Sequence, residues 1–332
     1  MSGTKYTGDD VLVSIIIPAY NEEGAIGDTV LGIQELELPN SEILVVDDGG
    51  TDATARVAAA AGARVISHPY NIGNGAAVKT GIRSARGKVL VFLDGDGQHD
   101  PADIPRLISG ISKYHMVIGA RQRSSETSLH RDLANWVYNK LASYVASFRI
   151  EDLTSGFRAM RSADARRFVD LFPNRFSYPT TSTLAFLRSG RSIKYIPIVT
   201  KWRVGKSKIK IFKDGPKFLM IIAKIIMTFS PLRVFLPVSF ALFSSGLAWY
   251  VYTYFSQGRF TNMSALVFNT SVILFMLGMV AEQVASLRLE KADRLFTQED
   301  AELYKVFEQY PETRDVQPNY ADSSSSSDRV VT

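Results

Sequence analysis

The chain has 332 residues, 46% of them hydrophobic, and a formal net charge of +5, so it can hold one large α/β domain plus an accessory part. A mildly basic balance suits nucleic acid, anionic lipid or phosphorylated substrates, and nucleic acid ranks last because zinc-finger spacings and basic runs with interleaved aromatics are missing. The chain has no cysteine, which excludes disulfides, thiolate metal sites and cysteine nucleophiles.

The first part of the chain alternates short apolar runs with helical patterns. The stretch 1–10 is polar and lacks an apolar signal-like run, so we expect the N-terminal domain to stay in the cytoplasm. Apolar strands alternating with helices predict an α/β fold with a mostly parallel sheet covered on both faces. In such sheets, ligands bind beyond the carboxyl ends of the strands. The predicted strands are 11–18, 42–46, 64–67, 89–93, 116–119 and 193–199, and the predicted helices are 23–37, 51–61, 74–85 and 130–148.

The composition changes after residue 205. Lysines alternate with bulky apolar residues before two apolar stretches, 234–254 and 264–284, which are long enough to span a bilayer. The first is uncharged, and the second is uncharged until Glu282. A pair of buried core helices is the alternative. Lys and Arg cluster outside these stretches, and their connection carries only Arg259, so both ends are expected in the cytoplasm. The expected units are an α/β domain (1–205), a basic amphipathic segment (206–231), two transmembrane helices (232–287) and an acidic, Ser-rich tail (288–332).

Two carboxylates follow the fourth predicted strand. Asp94 and Asp96 are one residue apart on a glycine-containing turn, so both can approach a divalent cation such as Mg²⁺. Gln98 and His99 are close enough in sequence to complete such a site. The alternative is a solvated acidic turn, but the position at the end of a buried strand favours a metal beside a substrate phosphate.

Other polar residues follow the neighbouring strands. Asp47 and Asp48 serve either as a turn and helix cap or as ligands of a base or ribose. Tyr20 could stack on a base and Glu22 could accept a hydrogen bond from it. The loop 71–75 lacks the G-x-G-x-x-G spacing, which disfavours hydride transfer, although its N–H groups could approach a phosphate. Basic residues suited to phosphate are Arg121, Arg158, Arg203, Lys206 and Lys208, and the last three are alternatively suited to anionic lipid.

Together these stretches resemble glycosyltransferase family 2, and within it the polyprenyl-phosphate enzymes similar to dolichyl-phosphate mannose and glucose synthases. The resemblance covers residues 11–210. One departure is Gly50, where the family has Ser, so a turn-capping hydroxyl is lost but no catalytic group. The motifs that carry the resemblance to this family are SIIIPAYNEE (14–23), VVDDGGTDAT (45–54), NIGNGAAVKTGI (71–82), VLVFLDGDGQHDP (89–101), IGARQR (118–123), DLTSGFR (152–158) and RVGKSK (203–208).

The resemblance implies a GT-A fold and the inverting transfer of mannose, glucose or N-acetylglucosamine from a GDP- or UDP-sugar to a polyprenyl phosphate, with Mg²⁺ or Mn²⁺. It implies a membrane protein whose catalytic domain is cytoplasmic, and it leaves a homo-oligomer open. The implied sugar-donor contacts are Pro18, Ala19, Tyr20, Glu22, Asp48, Asp94, Asp96, Gln98, Arg203 and Lys208. The implied metal ligands are Asp94, Asp96 and Gln98, the acceptor-phosphate ligands are Arg121, Ser155 and Arg158, and the catalytic set is Asp94, Asp96, Arg121 and Arg158.

An acceptor phosphate is already ionised at neutral pH. We therefore expect positioning and leaving-group stabilisation to matter more than proton removal, with Asp94 as the first candidate if a base acts. Three alternatives stay open. A processive polysaccharide synthase is disfavoured because the chain lacks Q-x-x-R-W and has only two candidate spans. Transfer to another lipid, such as diacylglycerol, is disfavoured by DLTSGFR, and a non-catalytic membrane scaffold by the intact DGDGQ and Arg121.

Overall fold

The computed structural model describes residues 11–121, 139–140, 142–144, 146, 148–175, 177–200 and 227–293. Most of the predicted helix 130–148, nearly all of the basic segment 206–231 and the tail from residue 294 lie outside the described residues. The predicted site residues Arg203 and Lys208 lie outside them as well.

The first half of the sheet is parallel and follows the predicted strands. Its strands are β1 (Val13–Ala19), β2 (Ser41–Asp47), β3 (Arg64–Ser67) and β4 (Val89–Phe92), in the order β3-β2-β1-β4. β1 pairs in parallel with both β2 and β4. Buried apolar side chains cover both faces of the sheet in two separate clusters, which explains the continuous apolar runs in β1, β4 and the second half of β2. The connecting helices are α1 (Ile26–Gln34), α2 (Thr54–Ala60) and α3 (Asn74–Ser84).

The helices α1 and α2 begin three residues later than predicted, because the residues before them bind to each other. The Glu22 N–H donates to Thr54 Oγ1 at 2.8 Å, and the Ala53 N–H donates to Glu23 Oε2 at 2.9 Å. These crossed hydrogen bonds fix the loop after β1 to the loop after β2 at one edge of the sheet. Asp52 Oδ1 accepts from the N–H of Thr54, the first residue of α2, at 3.0 Å.

The second half of the sheet is mixed. After α4 (Ile104–Gly110), β5 (Met116–Arg121) pairs in parallel with β7 (Ile193–Ile198). The strand β6 (Arg158–Arg161) lies between β4 and β5 and is antiparallel to both. Because β6 is antiparallel to β4 and β5, its first residue lies at the edge of the sheet where β4 and β5 end. The helices α5 (Ser162–Phe168) and α6 (Tyr178–Arg188) separate β6 from β7.

Two long helices, α7 (Leu232–Gln257) and α8 (Asn262–Asp293), form the C-terminal hairpin of the described chain. Both are long and apolar enough to cross a membrane. Large apolar side chains along them are exposed, Phe240 by 69% and Phe255 by 84%, so the alternative of two buried core helices is wrong. α8 continues to Asp293, beyond the predicted end of the second span. Gly278 permits close helix contact, because a Cβ there would lie 2.6 Å from the Cβ of Phe235.

Candidate active site

Most of the predicted site residues in the described chain meet at one edge of the sheet. β1, β2, β4 and β5 all end at this edge, and β6 begins there. The loops that follow or precede these strands therefore face one another, as the carboxyl-end rule for parallel sheets predicts. The ends of the parallel strands could be located from the sequence. The antiparallel strand β6, which begins at the same edge, could not.

The acidic turn after β4 is compact. Asp96 is 8% exposed, and its Oδ1 accepts from the Gln98 N–H at 3.2 Å. Gly97 has a φ of 72°, a conformation that favours glycine and lets the turn close. Asp94 is half-buried, with its Oδ2 lying 3.5 Å from Nε2 of His99. The backbone N–H of Gln98 therefore fixes the carboxylate of Asp96, and the buried imidazole of His99 lies beside the carboxylate of Asp94.

Charges around Asp94 keep its carboxylate ionised. Burial alone would raise the pKa of Asp94, but the hydrogen bond and charge of His99 and the charges of Arg121 and Arg158 lower it below its usual range. A carboxyl group with a lowered pKa is a weak base, but it is a good ligand for a cation. The His99 ring also stacks near Phe157, with 5.0 Å between ring centroids, so the imidazole is fixed from the β6 side.

Arg121, the last residue of β5, is oriented by Asp152. Its Nε donates to Asp152 Oδ2 at 2.8 Å and its Nη2 to Oδ1 at 3.0 Å, which is a two-pronged ion pair. Nη2 also donates to Thr154 Oγ1 at 2.6 Å. Burial alone would lower the pKa of Arg121, but Asp152 and Asp94 raise it. The guanidinium is thus held in one orientation while its side chain remains 39% exposed. The motif DLTSGFR contains Asp152, but its role in orienting Arg121 was not predicted from the sequence.

Ser155 lies directly behind this ion pair. Its N–H donates to Asp152 Oδ1 at 3.1 Å. Its hydroxyl is buried and has no hydrogen-bond partner among the residues that the structure describes. A buried hydroxyl in that state is an unused donor and acceptor, and the role of Ser155 as a phosphate ligand stays a prediction.

The expected role of Arg158 as an acceptor-phosphate ligand does not agree with its position. Its side chain is 0% exposed, and its guanidinium donates only to protein groups. Burial lowers its pKa, while Tyr178, Tyr195, Asp152 and Asp94 raise it. Arg158 is therefore an internal brace under the Ser155 loop. The atoms that accept from it are Ser155 O, Pro179 O (2.9 Å), Ser182 Oγ (2.8 Å), Thr183 Oγ1 (3.2 Å) and, weakly, Met116 Sδ (3.9 Å).

Asp48, expected to contact the nucleoside, is likewise used internally. It is 2% exposed, and its carboxylate accepts from the N–H groups of Ile72 (3.1 Å) and Gly73 (2.8 Å). Its Oδ1 also lies 2.7 Å from Nδ1 of His68, whose Nε2 contacts Thr80 Oγ1. This placement contradicts a direct nucleoside contact and assigns Asp48 to fixing the 71–75 loop. Asp47 has the predicted turn role, because its Oδ1 accepts from the Gly50 N–H.

Three of the five N–H groups of the 71–75 loop, those of Ile72, Gly73 and Gly75, already donate to protein oxygens. The Gly75 N–H donates to Arg175 O at 3.3 Å and the Ala76 N–H to Asn174 O at 2.8 Å. Together with the bonds of Ile72 and Gly73 to Asp48, these contacts use the donors that a phosphate would need. The expectation of a phosphate cradle at the start of α3 is therefore wrong in this structure.

The remaining predicted sugar-donor contacts lie on or just after β1. Pro18 and Ala19 are the last residues of the strand, and the Ala19 carbonyl accepts from the Asp48 N–H at 2.8 Å. Tyr20 and Glu22 follow and are partly exposed at the ligand edge. Asn21 between them has a φ of 55°, and its Oδ1 accepts from the Thr51 N–H. This hydrogen bond fixes the loop after β1 to the loop after β2.

The residues of the acidic turn fit a hard divalent cation. The described residues contain no cluster of three or more His, Asp or Glu side chains that could enclose a metal alone. Mg²⁺ and similar ions commonly take one or two protein carboxylates and complete their shell with phosphate oxygens and waters. The carboxylates of Asp94 and Asp96 can supply two oxygen ligands of such a shell. A structural metal site, in which the protein supplies all the ligands, would need more of them.

Two family descriptions match the chain. Glycosyl transferase family 2 matches residues 14–168, which include β1 to β6 and the acidic turn. GtrB C-terminal hairpin matches residues 230–287, which include α7 and most of α8. The matched regions therefore contain both the candidate active site and the apolar hairpin.

Individual proteins are similar to the same regions. Over 213 residues, the chain is 32% identical to the undecaprenyl-phosphate mannosyltransferase of Micrococcus luteus, covering 59% of this chain and 87% of that protein. Over 172 residues, it is 28% identical to the dodecaprenyl-phosphate galacturonate synthase of Rhizobium johnstonii, covering 48% of this chain and about half (51%) of that protein. A crystal structure of Mycobacterium tuberculosis glucosyl-3-phosphoglycerate synthase with Mn²⁺ and UDP-glucose superposes with a TM-score of 0.53 at 22% identity, covering 65% of this chain and 78% of that one. This last likeness concerns the fold alone.

Proposed function

Because the chain belongs to glycosyltransferase family 2 and has its GT-A fold, we propose that it transfers a hexose from a GDP- or UDP-sugar to a polyprenyl phosphate. The transfer inverts the anomeric carbon and takes place at the cytoplasmic face of a membrane. The product is a polyprenyl-phosphate sugar. Mannose, glucose and N-acetylglucosamine are the sugars to test first.

One observation carries this proposal. An acidic turn and an oriented arginine share one sheet edge in a chain that continues into an exposed apolar hairpin. The acidic turn suits a nucleoside diphosphate with its cation, and Arg121 suits a second phosphate group. The hairpin suits an acceptor that is itself in the membrane. The named relatives from Micrococcus luteus and Rhizobium johnstonii use undecaprenyl and dodecaprenyl phosphates, which supports this class of acceptor.

The residues of this chain act mainly by positioning. Arg121, fixed by Asp152, binds and orients the acceptor phosphate, and the unpartnered Ser155 hydroxyl donates to it. The phosphate oxygen is already a nucleophile at neutral pH, so the lowered pKa of Asp94 is no obstacle to catalysis. Arg158 supports the loop that carries Ser155 rather than touching the reacting groups.

Asp94, Asp96 and the side-chain oxygen of Gln98 would hold a divalent cation, either Mg²⁺ or Mn²⁺. A bound cation supplies charge neutralisation for the diphosphate leaving group. With a cation bound, Asp94 and Asp96 would hold the diphosphate end of the sugar donor beside the end of β4, while the loop after β1 receives the nucleoside. Arg203 and Lys208 remain proposed contacts of the diphosphate.

For the membrane part, we propose that α7 and α8 cross the bilayer as a hairpin with both ends in the cytoplasm. The α/β domain (1–205) then lies on the cytoplasmic side, and the basic segment 206–231 lies at the lipid surface. The short connection between the helices, which carries Arg259, is on the opposite side.

A radiolabel transfer assay tests the reaction. Purified full-length protein is given Mg²⁺ or Mn²⁺, undecaprenyl phosphate and, one at a time, labelled GDP-mannose, UDP-glucose and UDP-N-acetylglucosamine. We expect label in the organic phase with one sugar donor and its loss on adding EDTA. Label that enters diacylglycerol or a growing glycan instead, with none in undecaprenyl phosphate, would overturn the proposed acceptor.

Substitutions of two aspartates distinguish a catalytic role from a structural role in the same transfer assay. Asp96→Ala should abolish transfer while leaving the unfolding temperature near that of the wild type. Asp47→Ala removes the acceptor of the Gly50 N–H, so it should mainly lower stability, by about 0.5–1.5 kcal/mol. Equal loss of transfer in both variants, with the fold intact, would contradict this ranking.

A further inference from the structure

The apolar hairpin is attached to the α/β domain by defined contacts at its cytoplasmic end. Phe229, just before α7, is 1% exposed and belongs to the core cluster on one face of the sheet. Leu289, near the end of α8, packs against the same cluster. Arg233 lies over the ring of Tyr144, 5.6 Å from its centroid, and donates to the Tyr144 carbonyl.

Glu282 joins both hairpin helices to the α/β domain. It is the first charged residue of α8, after an uncharged run from Asn262. Its Oε1 accepts from Arg188 Nη2 at 2.8 Å, and its Oε2 accepts from the Leu232 N–H at 3.2 Å. That N–H belongs to the first turn of α7 and lacks a partner within its own helix. One carboxylate thus connects the end of α6, the start of α7 and the cytoplasmic part of α8.

The other end of α6 supports the acceptor side of the active site. The Tyr178 hydroxyl donates to Gly156 O at 3.1 Å, and Arg158 donates to Pro179 O and Ser182 Oγ in the first turns of the helix. An α-helix of 11 residues is about 16 Å long, so α6 reaches from the Ser155 loop to the hairpin. The helix is therefore a rigid connection between the membrane part and the loop that supports Asp94 and Ser155.

We propose that Arg188 is a positioning residue that, paired with Glu282, sets the height of the acceptor side of the active site relative to the membrane hairpin. This inference rests on the proposed function, since it concerns an acceptor that arrives from the membrane. The pair is partly buried, with Arg188 25% and Glu282 21% exposed, so it is less screened by salt than a surface pair. Without it, α6 and the Ser155 loop can shift relative to the phosphate headgroups.

The test compares two acceptors in the full-length protein reconstituted in lipid nanodiscs. Undecaprenyl phosphate is held in the bilayer, whereas geranyl phosphate is soluble enough to reach the site from water. In Arg188→Glu, we expect KM for undecaprenyl phosphate to rise by about five- to tenfold, with kcat for geranyl phosphate changed less than about twofold. The reversed pair, Arg188→Glu with Glu282→Arg, should recover part of the lost affinity, because the ion pair returns but the Leu232 N–H loses its acceptor.

The matched control reverses the exposed pair of Arg83 and Asp170, which lie 2.7 Å apart within the α/β domain, and should leave both acceptors unaffected. Equal losses with both acceptors in Arg188→Glu, or no loss with either, would overturn the proposal. Hydrogen–deuterium exchange gives a readout that does not need turnover, since Arg188→Glu should raise exchange at the C-terminal end of α6 and at the start of α7 while leaving residues 153–157 unchanged. Unchanged exchange at the start of α7 would also overturn the proposal. A wild-type protein inactive with both acceptors, yet showing the expected exchange, would reject the proposed function and keep the mechanical connection.

Discussion

A methyl group added at Gly156 should displace the carboxylate of Asp94 without unfolding the domain. A Cβ at this position would lie 2.6 Å from Asp94 Oδ2 and 2.9 Å from Oδ1, whereas ordinary contacts begin at 3.4 Å. The carboxylate must therefore retreat by about 0.8 Å, the difference between 3.4 and 2.6 Å. A misplacement of about 1 Å at a reacting site can lower a rate by about a hundredfold. We expect Gly156→Ala to lower kcat by about 10- to 100-fold, equivalent to about 1.4–2.7 kcal/mol of activation free energy.

The fold should tolerate this change, so the loss can be assigned to the active site. Gly156 does not have a positive φ, and the side chain of Asp94 is 38% exposed and can move toward solvent. The free energy of unfolding should therefore change by less than about 1 kcal/mol. The matched control is Gly24→Ala, where a Cβ would meet nothing within 4 Å. Transfer assays and thermal unfolding of both variants distinguish a loss of activity from a loss of stability. Full activity of a well-folded Gly156→Ala protein would refute the argument that the Asp94 position is critical.

Three further substitutions test the buried polar groups. Burial alone would raise the pKa of Asp152, but Arg121 lowers it, so Asp152 adds stability that is present above its ordinary pKa and lost as pH falls through the lowered native value. Asp152→Asn should lower kcat, and the stability difference from the wild type should be largest at neutral pH and shrink below about pH 4 in denaturant titrations. Asp48→Asn removes an acceptor of the 71–75 loop and should lower the free energy of unfolding by about 1–3 kcal/mol, with slower transfer as a secondary effect. Arg158→Met should cost at least about 3 kcal/mol because several buried oxygens lose their donor, whereas weaker acceptor binding at unchanged stability would restore a direct contact with the acceptor.

The parallel half of the fold could be predicted because its strands are continuous apolar runs that end in Asp, Gly or Pro. β1, β2, β3 and β4 all lie within about two residues of their predicted bounds. The acidic turn was predicted for the same reason, since it directly follows the apolar β4. The strand β6 was not predicted, because its sequence RAMR is only four residues long and has Arg at both ends. Burial between two neighbouring strands overrides this composition.

The roles of individual charged residues were harder to predict than the strands. Arg158 and Asp48 were both interpreted as ligand contacts, because the family resemblance implies those roles. The structure instead uses both to satisfy backbone and hydroxyl groups. One sequence signal for Arg158 was available. The run PTTST in α6 places several hydroxyls in a helix that is otherwise apolar, and such a run indicates an interior polar partner.

The position of β6 has a consequence for the order in which the chain folds. The strands β1 to β4 are complete once residue 92 is synthesised, but β4 and β5 cannot join until residues 158–161 insert between them. At roughly 5–20 residues per second, the 66 residues from 92 to 158 take about 3–13 seconds, during which the edge of β4 stays open. The sheet is complete with β7 at residue 198, before the ribosome reaches α7 at residue 232. The seven strands of the described sheet can therefore pair before α7, the first of the two long apolar helices, is synthesised.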